Sequence, residues 1–237
     1  MSIKNILQAF TASLVVCILA CAQDTHQQGA SEDPESLRQM LARQPDYTAV
    51  RREFFLTEGS GGGMGLRAKE AKLGSKLAEV SEGVILIREP GKPTIEVFPK
   101  RKEYAEVPPE KKEDFGGPPE ELTNPEKVAR NSNVVFRSAG LEKVGGHTCL
   151  KIEVTHKNEK YKSVKLTFWV APGLKNLVIQ SEVAVTRPPE GRIRFLTTFE
   201  DISLDVNEEL FRVPPGYKKV AEPDRLKGPG DKMREPR

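Results

Sequence analysis

Apolar and polar residues alternate along most of this chain with the two-residue period of a strand. One stretch near its beginning repeats at helical spacing instead. Leu37, Met40 and Leu41 fall at the i, i+3, i+4 positions of a single apolar face and predict a helix over residues 34–43. Asp33 stands where a cap is wanted, Pro34 suits the first turn and Pro45 stops the helix. Strands are expected at 47–57, 84–88, 94–98 and 103–107. Residues 66–72 and 76–80 also read as strands, but their Ala, Lys and Glu content fits a helix as well. Glycines at 59–63 make a turn between the first two of these segments.

From 109 to 130 the chain turns polar and carries Gly116-Gly117-Pro118-Pro119, a surface excursion with a short helix expected at 125–130. Hairpins follow. Segments 133–137 and 141–144 lead into Gly145-Gly146, which supplies the positive φ of a tight hairpin turn. Thr148, Leu150, Ile152 and Val154 alternate with Cys149, Lys151 and Glu153. Val164, Leu166, Phe168 and Val170 repeat the device against Lys165 and Thr167. Turns at Pro172-Gly173 and 188–191 introduce strands at 177–185 and 193–204, and 210–213 is expected to close the domain as a last strand. Half-buried alternation of this kind belongs to an antiparallel sheet with one covered face. Neither half looks able to bury a core alone, so one continuous sheet over 34–220 is expected, followed by a charged, disordered tail at 221–237.

The first residues are of another kind. Lys4 precedes a mainly apolar run at 6–19 and small residues at Ala20 and Ala22, the order of a secretory signal. The run is shorter than the ~20 residues a membrane-crossing helix needs. Ile18-Leu19-Ala20-Cys21 resembles the bacterial lipobox. That resemblance implies a signal at 1–20, a lipid-modified Cys21 at the new terminus, and a polar tether over 21–33. Ala22 follows the cysteine where an aspartate would signal inner-membrane retention, so an outer-membrane anchor facing the periplasm is expected. Ordinary cleavage after Ala22, which would leave a soluble periplasmic protein, is the alternative.

Composition narrows the class. The chain has 237 residues, 37% hydrophobic and 30% charged, which suits one globular domain or at most two. Its net charge of +3 comes from Lys and Arg scattered among Asp and Glu, not from the clustered stripe a nucleic-acid partner would require. With Cys17 in the signal and Cys21 lipidated, Cys149 stands alone and no disulfide framework is expected.

The ordered parts, with the closing Leu210-Phe211-Arg212-Val213-Pro214-Pro215-Gly216-Tyr217, resemble the LolA/LolB-like periplasmic fold over residues 34–217. The stretch Val144-Gly145-Gly146-His147-Thr148-Cys149-Leu150-Lys151, with Phe168-Trp169-Val170, is similar to a less characterised branch of outer-membrane lipoproteins with that fold. The resemblance implies a mainly β, α+β domain: a curved antiparallel sheet or incomplete barrel enclosing an N-terminal helix. It also implies a lipid or lipoprotein acyl chain as ligand. Two departures stand out. A LolA carrier is not lipidated, and the exposed apolar loop linked to LolB activity has only Met64 and Leu66 as counterparts here.

Candidate chemistry is sparse. His147 and Cys149 lie two apart on one strand, as a thiol–base pair or two metal ligands would, but tetrahedral zinc wants further ligands that the chain does not offer nearby. The glycines at 59–65 match no phosphate-loop pattern. Glu200 and Asp201 are neighbours on a strand and point to opposite faces, so they cannot flank one bond. No G-x-S-x-G elbow appears. No catalytic residue, metal or cofactor is therefore expected. The remaining candidates are apolar: Phe98, Phe136, Leu166, Phe168, Phe195 and Phe199 as the lining of an acyl-chain cavity. The expected function is a non-catalytic, outer-membrane-anchored lipoprotein that binds a hydrophobic ligand. The alternative is a tethered protein-interaction or sensing module with a filled core.

Cys21→Ser should abolish both acylation and the cleavage that depends on it. Metabolic labelling with a fatty acid checks this, and a mutant labelled as strongly as wild type would contradict the lipobox reading.

Overall fold

The alternation becomes one sheet. The computed structural model describes residues 33–57, 64–108, 120–157, 164–187 and 191–221. The signal, Cys21, the tether up to residue 32, the turns at 59–63 and 188–190, the first half of the 109–130 excursion and the tail from 222 lie outside the described residues. Helix α1 (Pro34–Ala42) leads into β1 (Tyr47–Thr57), β2 (Met64–Leu73), β3 (Lys76–Ser81), β4 (Val84–Arg88), β5 (Thr94–Phe98) and β6 (Glu103–Val107). Two short helices follow, α2 (Glu120–Thr123) and α3 (Pro125–Arg130). The chain continues through β7 (Val134–Val144), β8 (His147–His156), β9 (Val164–Ala171), β10 (Leu177–Arg187) and β11 (Gly191–Ser203) to a two-residue β12 (Lys218–Lys219).

The twelve strands run in the order β12-β6-β5-β4-β3-β2-β1-β11-β10-β9-β8-β7. Strands β1 and β11, far apart in sequence, pair antiparallel in the middle and join the two halves. All other pairs are antiparallel except β12, which runs parallel to β6. The order does not close, so the fold class is the expected one: mainly β with a few helices, an open curved sheet.

Register decides which residues share a face. In the C-terminal half Leu166 opposes Val154 on one side and Val183 on the other, and Val183 opposes Phe195. That row belongs to the largest apolar cluster, which also holds Leu37 and Leu41 of α1, Leu122, Val128 and Phe136. Helix α1 thus covers the apolar face of β7–β10. In the N-terminal half the apolar row moves to the opposite face. Ala71, Ala78, Ile87 and Ile95 oppose one another across β2–β5. They form a separate cluster with Val97 and Phe211, which Val206, Val213 and Tyr217 help to cover.

Polar bonds fix where α1 sits. Gln44, buried just after the helix, accepts from the Val178 N–H of β10 through its side-chain oxygen at 2.8 Å. Its amide nitrogen donates to the Met40 carbonyl at 3.3 Å, and its own N–H donates to Glu126 of α3 at 3.1 Å. The Arg38 guanidinium donates to the Ala129 and Asn131 carbonyls at the end of α3 and lies 4.8 Å over the Phe136 ring. One end of the helix is held to the sheet and its middle to the neighbouring helix.

Several local expectations change. Asp33 makes no side-chain capping bond. Residues 66–72 and 76–80, ambiguous in sequence, are strands because paired neighbours outweigh helical propensity. The segments 133–137 and 141–144 are one strand, β7, with an irregularity between Ser138 and Leu141 where Gly140 takes φ +89°. The expected last strand at 210–213 is instead a 3-10 turn over Glu208–Phe211, which drives Phe211 into the N-terminal cluster. Gly145 and Gly146 do take the positive φ the hairpin requires, +55° and +84°.

Gln44→Ala would leave the buried Val178 N–H without its acceptor. We expect a loss of about 2 kcal/mol, the desolvation cost of an orphaned donor, read as a lower urea midpoint at unchanged slope. A change below about 0.5 kcal/mol would show that water replaces the amide.

Candidate functional site

The six apolar candidates do not gather in one packing cluster. Phe136, Leu166 and Phe168 belong to the core beneath α1, with Phe195 packed at its border. Phe199 lies in a second cluster with Tyr47, Cys149, Trp169 and Ile179, and its ring meets Tyr47 edge-on at 5.5 Å. Phe98 sits on β5 in the N-terminal half, beneath the Arg101 guanidinium at 4.3 Å. Phe168 is 1% exposed and Leu166 0%, because α1 already occupies the space in front of them.

The apolar row nevertheless continues past the helix. Met40, Val185 and Phe195 are only partly buried at the edge of the core. Phe195 opposes Phe55 of β1, with ring centroids 5.0 Å apart, and Phe55 is 38% exposed. Leu66 of β2, opposite Glu53, carries the same face outward at 63% exposure. These residues form an open apolar shelf, not an enclosed cavity.

The opposite face of the same strands carries a charged groove of about 460 Å³. Its floor follows from register: Lys151 opposes Trp169, which opposes Gln180, and Glu153 opposes Thr167, which opposes Glu182. The Trp169 indole N–H donates to Glu142 at 3.0 Å, and Lys151 bonds the same carboxylate at 3.1 Å. These two bonds hold the Glu142 carboxyl below the usual range. Arg137 and Lys165 do the same for Glu153, and Glu182 receives Arg194 at 2.5 Å and Arg192 at 3.4 Å. Sequence reading saw these residues only as the polar half of an alternation. The signal available was that consecutive hairpins must stack their polar positions into rows.

A third feature was not foreseen. On β1–β4 the face opposite the N-terminal apolar cluster carries Arg51, whose guanidinium contacts Glu79 at 2.9 Å, Glu70 at 3.2 Å and Glu53 at 3.3 Å. Arg88 bonds Glu79 at 3.1 Å, and the Tyr47 hydroxyl donates to Glu70 at 2.5 Å. Burial pushes the Glu70 carboxyl up, against the downward pull of Arg51 and Tyr47. Burial and the neighbouring Glu70 also push the Tyr47 phenol well up. Each acid here is shared with a donor, which marks a shielded charge network.

The Cys149 thiol is fully buried and donates to the His147 carbonyl oxygen at 3.5 Å; burial raises its pKa and so lowers its thiolate fraction. Glu200 faces Arg52 at 2.9 Å while Asp201 occupies the bulge, so the two carboxylates remain apart in role. No group of three or more metal-ligating side chains assembles among the described residues.

No protein-family model matches the sequence, and no curated protein does. Among solved structures, the chain is similar to a LolA superfamily protein from Nitrosomonas europaea at 9% identity, with 76% of this chain and 97% of that one covered and a TM-score of 0.36. It is similar to the Mycobacterium tuberculosis lipoprotein LppX at 14% identity, 74% and 99% coverage, and a TM-score of 0.37. It is also similar to MucB at 14% identity, 81% and 66% coverage, and a TM-score of 0.46. A shared sheet transfers no activity. The fold itself is an open antiparallel sheet whose C-terminal half is covered by α1.

Proposed function

We propose that this is a non-catalytic cell-envelope lipoprotein, anchored to the outer membrane through Cys21, that holds an acyl chain of a lipid or lipoprotein. The ligand lies on the shelf of Val185, Phe195, Phe55 and Leu66 beside α1. The observation that carries the reading is the continuity of that shelf with the core. Phe55 at 38% and Leu66 at 63% exposure extend an apolar row whose inner members are sealed. Exposed apolar side chains at the end of such a row are what an aliphatic ligand would cover. Cleavage after Ala22 would give the same domain free in the periplasm.

A second reading, a tethered protein-interaction module with a filled interior, is favoured by one observation. Leu37, Leu41 and Leu166 are 0% exposed and Phe168 1%, so no room for a ligand exists beneath the helix.

A fluorescent fatty-acid titration separates the two. We expect wild type to bind the probe, and Phe55→Ala and Phe195→Ala each to weaken it by about tenfold, the effect of ~1.4 kcal/mol of lost apolar contact. Phe168→Ala should cost the ~3–5 kcal/mol of a packed Phe→Ala in a denaturant melt, with probe affinity per folded molecule retained. Absence of binding by wild type would leave the interaction module as the reading.

A further inference from the structure

Alternation decides which charges border the apolar shelf. On β1, Phe55, Glu53 and Arg51 stand two residues apart and share a face. Glu53 opposes Leu66 of β2 and Thr197 of β11, while Phe55 opposes Phe195. The shelf and the Glu53 end of the Arg51 network therefore form one continuous surface. The other cations of these strands lie behind it. Arg52 opposes Arg67, and Arg194 opposes Leu56, in the intervening positions of the register. Over residues 51–57, 64–68 and 193–199, the shelf's face carries two charged residues, Glu53 and Arg51.

Of these two, the carboxylate is the one open to a ligand. The Arg51 guanidinium is held by three acids, Glu79 at 2.9 Å, Glu70 at 3.2 Å and Glu53 at 3.3 Å. Glu53 is the outermost, its side chain 38% exposed against 5% for Glu70 and 13% for Glu79. It also holds the longest of the three contacts. A headgroup arriving along the shelf thus meets Glu53 before it meets the guanidinium. An ammonium group placed there gains a charge-assisted bond to a carboxylate whose present partner is shared. A carboxylate or phosphate would be set beside a like charge.

We propose that the amphiphile taken by the shelf has a cationic, amine-bearing headgroup. Its chain lies across Phe195, Phe55 and Leu66, and its ammonium nitrogen meets the Glu53 carboxylate. The inference rests on the acyl-chain reading of the shelf and adds the headgroup class to it. Glu53 is then a specificity-determining residue. Glu70 and Glu79, buried behind it, keep Arg51 occupied and unable to attract an anionic head.

Displacement of the fluorescent fatty acid by amphiphiles that differ in headgroup tests this. The chain from Gln23 retains every described residue. Dodecylamine, dodecanol and laurate offer it an ammonium, a hydroxyl and a carboxylate on chains of one length. Dodecylamine is expected to displace the probe at about fivefold lower concentration than dodecanol, the upper effect of one partly exposed ion pair. Laurate should need more than dodecanol, and the dodecylamine advantage should shrink as salt rises. Glu53→Gln should bring dodecylamine to the level of dodecanol, with a thermal melt showing that the variant is folded. Glu200→Gln, whose carboxylate is bonded to Arg52 on the opposite face, should leave the wild-type order intact. Laurate displacing the probe as well as dodecylamine, or an amine advantage that survives Glu53→Gln, would overturn the headgroup assignment and leave the shelf in place. A wild type that binds no fluorescent probe would remove the shelf and this inference with it.

Discussion

An antiparallel sheet with one apolar face must have that face covered, and in the C-terminal half of this protein α1 is the principal cover. Leu37 and Leu41, both fully buried, set their side chains among Phe136, Leu166 and Phe168. Burial of two leucines is worth about 1.5–3 kcal/mol each, but it is non-directional and would tolerate a helix slid along the sheet. Direction comes from the hydrogen bonds. Gln44 connects the sheet, the helix end and Glu126, while Lys72 of β2 bonds both the Gln44 carbonyl at 3.0 Å and Glu126 at 3.2 Å. The position of α1 is therefore set by β2, β10 and α3 together.

The exchange of the apolar row from one face to the other explains where charge is found. On β2–β4 the face left without an apolar row still becomes partly shielded, so its ionic groups must be paired. Arg51 among Glu53, Glu70 and Glu79 does this. Removing one member of such a buried set costs more than the pair contributes, because the remaining charge stays desolvated. The groove on the outer face is different. Its Arg192 and Arg194 side chains are 46% and 42% exposed, and pairs of that kind contribute about 1 kcal/mol or less. The inner network holds structure, while the outer cations remain open to exchange partners with little loss.

Strand positions were legible in the sequence where alternation was strong and turns carried glycine, as at β8, β9 and the Gly145-Gly146 hairpin. They were equivocal at β2 and β3, where Ala71 and Ala78 are the buried residues and small side chains give a weak periodic signal. The closing segment misled for a physical reason. Leu210 and Phe211 look like strand residues, yet a short 3-10 turn places Phe211 inward and leaves Leu210 40% exposed. Periodicity gives a face within one strand, whereas the pairing of β1 with β11 determines how the faces of the two halves meet across the sheet. Alternation also cannot reveal whether a helix fills the space in front of a face. Phe55 and Leu66, which extend the shelf, were hidden because exposure is decided by what ends nearby, here the reach of α1.

Where a ligand gains affinity follows from what it would displace. A chain entering beneath α1 must first break the Gln44–Val178 bond, detach Arg38 from the Ala129 and Asn131 carbonyls, and expose Leu37 and Leu41. The leucines alone cost about 3–6 kcal/mol to uncover, before any contact with the ligand forms. A chain laid on the shelf breaks none of these bonds and covers apolar area already facing water at Phe55 and Leu66. Every CH₂ it buries there, about 0.8 kcal/mol each when fully covered, counts toward affinity. Because such a ligand also contacts Phe195 at the border of the core, it binds the folded chain and not the unfolded one. It would therefore stabilise the fold by about 2.7 kcal/mol at a hundred times its Kd. The packed helix, which argues against an internal cavity, is thus what makes the shelf beside it the favourable place to bind.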